Sequence, residues 1–300
     1  MIRNTQLTIA KPVEVLGIGI HTGESIPLRL EPSSSNEGVV FYRSDKKSKP
    51  IKLNYKNICR TDLATTICSG SSEVSTIEHL MSAIYAYGID NINIYIGGKE
   101  VPILDGSSIG FCMILDEAKI KYLDKPKKIM KITKEVIVKN KNSFVKVSPS
   151  DSIGFDYEIN FKHPFIGKQK YSFDFSKQSY IENIAKARTF GFMRDVEYMQ
   201  SKGLAKGADI SNAIALDDDK ILNPEGLRYK DEFVRHKILD AMGDISVLGM
   251  TMLGQYSSYA GSHNLNFLLS KEILKQKAYE IVYADNKNKT INKNIGYAFS

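Results

Sequence analysis

TIEHLMSAIYAYGIDNINIYIGG, residues 76–98, changes its hydrophobic period halfway along. Ile77, Leu80, Met81 and Ile84 recur at the three- and four-residue spacing of a helix, with Ser75 or Thr76 available to cap it. Gly88 ends that helix, and from Asn91 to Gly98 the apolar residues return to the period of two that marks a strand. On the N-terminal side, LTIAKPVEVLGIGIHTG and SIPLRLEP alternate apolar and polar residues between Gly and Pro, which predicts short antiparallel strands. On the C-terminal side a second helix is expected over 109–119.

At LDKPKKIM, Pro126 and the lysines interrupt the pattern, and a new β-rich stretch starts with ITKEVIVK and FVKVSP. The expected boundary therefore divides the chain into 1–126 and 127–300. Strands follow near 154–161 and 169–173, with helices near 180–187, 233–248 and 271–283. Both halves read strands, helix, strand, helix, so the fold class is α+β with two pseudo-duplicated domains.

Hydrophobic residues at 42% and charged residues at 25% suit a chain of 300 residues that buries an ordinary core. The formal charge is +7, yet the lysines are scattered and no basic run is interleaved with aromatics, which argues against a nucleic-acid partner. Cys59, Cys68 and Cys112 are odd in number and lack CxxC spacing, which argues against a disulfide framework and a thiolate metal cluster and fits a reducing compartment. Lys11, Pro12 and Glu14 break the N-terminus before a signal-peptide core can form, and no later segment offers the roughly 18 uncharged apolar residues of a membrane span. The expectation is a cytoplasmic monomer without a transmembrane segment, whose membrane contact is at most transient and at the surface.

His236 and Asp240, in HKILD, stand four apart on one helical face, and Asp244 continues that face by another turn. Val234, Ile238, Ala241, Met242 and Ile245 form the opposing apolar side. Imidazole nitrogen and carboxylate oxygen at this spacing can chelate a divalent ion, and one further ligand would leave a fourth position for water. His79 supplies that ligand; the thiol-free set suits zinc, with iron(II) as nearest competitor. Glu78, adjacent to His79, is placed to take a proton from activated water. HExxH is absent, and the inverted HxxEH would need His where Ser75 stands. His263, on the loop YAGSHNLN, is the free candidate for a general acid, with Asp244 as its charged partner. His21 and His163 read as structural. A metal-stabilised binder of a nucleotide sugar or anionic lipid is the competing class, but it leaves Glu78 and His263 without a role.

These pieces resemble the UDP-3-O-acyl-N-acetylglucosamine deacetylases, zinc amidases that commit Gram-negative bacteria to lipid A synthesis. The matching runs, in order, are GIGIHTG from Gly17, STIEHLMSAIYAYGIDN from Ser75, EVPILDGSS from Glu100, ARTFGFMRDVE from Ala187, GLAKGAD from Gly203, GLRYKDEFVRHKILDAMGD from Gly226 and GSHNLN from Gly261. The resemblance implies β-α-α-β layering with the metal at the domain junction. It implies Glu78 as general base, His79, His236 and Asp240 as zinc ligands, and His263 as acid backed by Asp244. Thr189 would help hold the oxyanion, Lys237 would sit near the substrate diphosphate and Phe190 would line the substrate cleft. An inserted βαβ unit over about 194–216 would form the acyl passage, with Met193, Met199 and Leu204 as candidate lining. Ser262 before the acid and Ala260 before that turn depart from the pattern, where relatives commonly carry Gly and Lys or Arg. The implied substrate is a UDP-linked, 3-O-acylated N-acetylglucosamine.

Overall fold

The computed structural model describes residues 5–284, 294–296 and 298–299. Its helices are α1 (Glu78–Ala86), α2 (Ile109–Ala118), α3 (Lys177–Asn183), α4 (Met193–Ser201), α5 (Glu232–Ile245) and α6 (His263–Lys275). A five-stranded sheet runs in the order Val13–Ile18, Ser25–Pro32, Ile92–Ile96, Val39–Arg43, Ile51–Lys52. A seven-stranded sheet is organised by Thr251–Tyr259, which is parallel to Lys128–Ile132 and Ile153–Asn160 and antiparallel to Ser143–Ser148. The period-two patterns of Ser25–Pro32 and Ile92–Ile96 bury Ile26, Leu28, Leu30, Ile92, Ile94 and Ile96. α2 packs on Val13–Ile18, α5 on Ile153–Asn160 and Lys168–Asp174, and α1 lies against both α2 and α5. α1, α2 and α5 are thus layered between the two sheets in a mixed α/β architecture.

Covering on both sides changes the meaning of the helical patterns. All nine residues of α1 are buried, and in α5 every residue except Arg235 and Lys237 is buried. The polar stripe His236, Asp240, Asp244 therefore faces the interior, and its groups require partners there. Backbone proximity makes this possible, because a Cβ on Gly243 would fall 2.0 Å from the Glu78 carbonyl oxygen. Arg188 and Glu232, both buried, pair at 2.9 Å and fasten the segment before Thr189 to the first turn of α5.

Several local expectations are corrected. Neither Ser75 nor Thr76 caps α1: Thr76 has φ +56° and donates its hydroxyl to the buried Glu100 carboxylate, while the Ser75 hydroxyl pairs with Thr66. α3 begins earlier than expected because the Ser176 hydroxyl accepts from the Ser179 N–H at its start. The last helix lies at His263–Lys275 rather than 271–283, since Ser262 caps it, and Tyr279–Tyr283 instead pairs with Lys128–Ile132 as a strand. His263 is accordingly a helix residue, not a loop residue. Cys59 and Cys68 form a disulfide, contrary to expectation, because the antiparallel strands Ile58–Arg60 and Thr66–Ser69 bring their Cα atoms to 5.9 Å. Cys112 is the odd residue, buried in α2. Among the described residues, no helix is long and apolar enough to cross a membrane.

Gly243→Ala should force α1 and α5 apart and destabilise the protein by about 3 kcal/mol, the upper end for overpacking, since backbone rather than a flexible side chain obstructs the methyl group. Denaturant unfolding midpoints check this, and a wild-type midpoint would deny the contact its structural weight.

Candidate active site

Glu78 and His79 are the first two residues of α1, and His236, Asp240 and Asp244 project from α5. One ligating atom from each of His79, His236 and Asp240 lies within 4.8 Å of the others. His79 Nε2 and His236 Nε2 stand 3.5 and 3.3 Å from Asp240 Oδ1, and the two rings meet edge to face with centroids 5.0 Å apart. His236 Nδ1 lies 3.1 Å from the Ala187 carbonyl, so the ring proton sits there and the Nε2 lone pair points at the cluster. Burial pushes His236 down to about 3, which keeps the imidazole neutral as metal binding requires.

Asp240 Oδ1 is buried and has no hydrogen-bond partner among the described residues, whereas Oδ2 accepts from Lys237 Nζ at 2.8 Å. A buried carboxylate oxygen without a donor is costly. Burial opposes ionisation of Asp240, but neighbouring groups, the Lys237 ammonium among them, outweigh it and hold the group well below the usual carboxylate range. Two imidazole rings and an orphaned anionic oxygen converging on one point fit a divalent cation.

Glu78 Oε2 accepts from the Thr65 backbone N–H at 3.0 Å, and burial raises its pKa above the ordinary value. His263 Nδ1 bonds Asp244 Oδ2 at 2.8 Å. Burial works against the His263 cation, but Asp244 first, then Glu78 and Asp240, override it and raise the imidazole to about 10. Asp244 also accepts from Asn266 Nδ2 at 2.8 Å and from Thr65 Oγ1 at 2.6 Å. Here lies one carboxyl group made a better base beside an imidazole made a weaker acid, with opposite proton tasks open to them.

A cavity of about 390 Å³ extends from Glu78 and His79, past Thr189 and Phe190, to Met193, Val196 and Met199. Its far wall is a βαβ unit in which Phe190–Phe192 and Ile214–Leu216 pair in parallel around α4. Leu204, expected beside the two methionines, is 38% exposed and does not line the cavity. Phe190 packs edge-on against Phe233, with Lys237 Nζ 5.7 Å from its ring centroid. His163 is structural as expected, with Nε2 2.8 Å from the Asp217 carbonyl. His21, read as structural, has its backbone N–H bonded to the buried Glu100 carboxylate and also lines the cavity. Its position in GIGIHTG was the available signal. Ala260 takes φ +47° at the turn before α6. Thr65 lies in no recognisable motif, and its partners Glu78 and Asp244 stand 13 and 179 residues away.

Fold and site together define a mixed α/β protein with a candidate divalent-metal centre at the head of an apolar cavity. The LpxC family model, described as UDP-3-O-acyl N-acetylglycosamine deacetylase, matches residues 6–275. A UDP-3-O-acyl-N-acetylglucosamine deacetylase of Nautilia profundicola is 54% identical over 296 residues, covering 98% of this chain and 99% of the relative. Those of Campylobacter lari and Helicobacter hepaticus are 56% and 54% identical, covering 92% and 94% of this chain and 94% of each relative. The chain belongs to the UDP-3-O-acyl-N-acetylglucosamine deacetylase family.

In metal-free protein His263 should stay protonated well above its ordinary value of 6.5. Because the folded pKa is raised, the pair's contribution to stability is complete below the unfolded value and disappears as pH rises through about 10. An NMR titration of the imidazole checks this: Asp244→Asn should lower the His263 pKa, and an unshifted wild-type ring would contradict the ion pair.

Proposed function

We propose that this chain hydrolyses the N-acetyl group of UDP-3-O-(3-hydroxyacyl)-N-acetylglucosamine, giving acetate and the free amine, the committed step of lipid A biosynthesis in a Gram-negative bacterium. The observation that carries this reading is the convergence of His79, His236 and Asp240 beside Glu78 and the His263–Asp244 pair, in a chain matched by the family model over residues 6–275. A cytoplasmic location, a monomeric state and a division near residue 126 are proposed alongside it.

His79, His236 and Asp240 hold the ion, which we take to be zinc with iron(II) as the alternative. When bound, it supplies Lewis acidity to a water and to the scissile carbonyl. Glu78 accepts the proton of the attacking water, helped by its raised pKa. Thr189 donates a hydrogen bond to the developing oxyanion. His263, kept protonated by Asp244, gives its proton to the departing amine, without which the amide nitrogen is a poor leaving group. Lys237, tied to Asp240 and beside Phe190, is assigned to the substrate diphosphate, and Phe190 to the cleft wall. The apolar cavity at the βαβ unit suits the acyl chain, which would exclude water from the reacting end.

Metal content measured alongside acetate release from the UDP-linked substrate tests the reading. About one equivalent of zinc with acetate release is expected, and a loaded protein that releases none would refute it. Glu78→Ala should abolish turnover while retaining metal, whereas His236→Ala should lose metal. Thr189→Ala should reduce turnover on the order of a hundredfold with metal content intact; unchanged turnover would remove its role.

A further inference from the structure

Thr65 is buried at the end of the loop joining Ile58–Arg60 to Thr66–Ser69, the two strands bridged by Cys59–Cys68. It belongs to neither α1 nor α5, yet it bonds to a group from each. Its N–H donates to Glu78 Oε2 at 3.0 Å and its hydroxyl to Asp244 Oδ1 at 2.6 Å. The other Asp244 oxygen receives His263 Nδ1 and Asn266 Nδ2, each at 2.8 Å. All three side-chain donors are thereby distributed over both oxygens, and the plane of the carboxylate is defined.

Removing the Thr65 hydroxyl would leave His263 and Asn266 sharing one oxygen, with the other buried and unsatisfied. Asp244 could then turn about that oxygen and carry the His263 ring with it. We propose that Thr65 is a positioning residue for the deacetylation, setting the Glu78 carboxylate and the His263 imidazole against one another from a single disulfide-braced loop. This rests on the deacetylase reading of Glu78 and His263. The hydroxyl acts through Asp244 and the N–H acts directly on Glu78, so the two contributions can be separated by substitution.

Thr65→Val keeps the N–H and the branched shape but deletes the hydroxyl. It should lower kcat about tenfold or more, with KM within about twofold and metal content unchanged. Thr65→Ser should recover kcat to within about threefold of wild type. In an Asp244→Ala background the valine substitution should cost nothing further. Full kcat in Thr65→Val, equal loss in the serine variant, or losses that multiply with Asp244→Ala would each overturn the proposal. Should the valine variant fail to fold, Thr65→Ala carries the same expectation. The His263 Nδ1 proton resonance, read in metal-free protein without substrate, should move in Thr65→Val and return in Thr65→Ser. An unmoved resonance overturns the positioning role whatever the turnover, whereas absence of acetate release from wild type defeats only the deacetylase reading.

Discussion

α1 and α5 touch backbone to backbone at Gly243 and Glu78, and the arrangement of the site follows from that contact. Any side chain at Gly243 would stand between the helices and separate Glu78 and His79 from His236, Asp240 and Asp244. With the helices in contact, residues from distant parts of the chain share one small volume. α5 packs on the seven-stranded sheet and α1 on α2, which in turn packs on the five-stranded sheet, so neither helix can tilt away without exposing apolar surface.

Enclosure makes the polar groups consequential. Buried carboxylates are tolerated where donors or counter-charges meet them, and each one here has a distinct solution. Glu232 is neutralised by Arg188, which also ties the chain before Thr189 to α5. Asp244 takes three side-chain donors. Asp240 has Lys237 on one oxygen and, among the described residues, no donor on the other, a combination that suits a cation. Glu78 accepts from a backbone N–H, and burial raises its pKa. The same low-polarity surroundings thus yield a salt bridge, a held imidazole, a candidate ligand and a carboxyl group of raised pKa, according to what stands beside each carboxylate.

The apolar cavity adds the second dimension of the site. Phe190 belongs to both parts: it packs against Phe233 of α5 near His236 and begins the parallel strand pair that walls the far end. Displacement of that strand pair would therefore be felt at His236, whose ring lies 6.3 Å from Phe190. His21 reaches the same cavity from the N-terminal sheet side, so elements from both halves of the chain enclose it.

Residue chemistry and local periodicity were sufficient to recognise α1, α5 and the strand Ile92–Ile96, and to single out His79, His236, Asp240, Glu78, His263 and Asp244. Those features depend on neighbours three or four positions away, which a linear pattern records. The cap of α1, the extent of α6, the Cys59–Cys68 bond, the exposure of Leu204 and the cavity position of His21 depended on long-range partners. Thr65 is the clearest case: its hydroxyl and Asp244 are 179 residues apart. Sequence could name the groups able to bind an ion and move protons, but only tertiary packing decided which oxygen was left without a donor and which imidazole was kept charged, because both depend on who is buried beside whom.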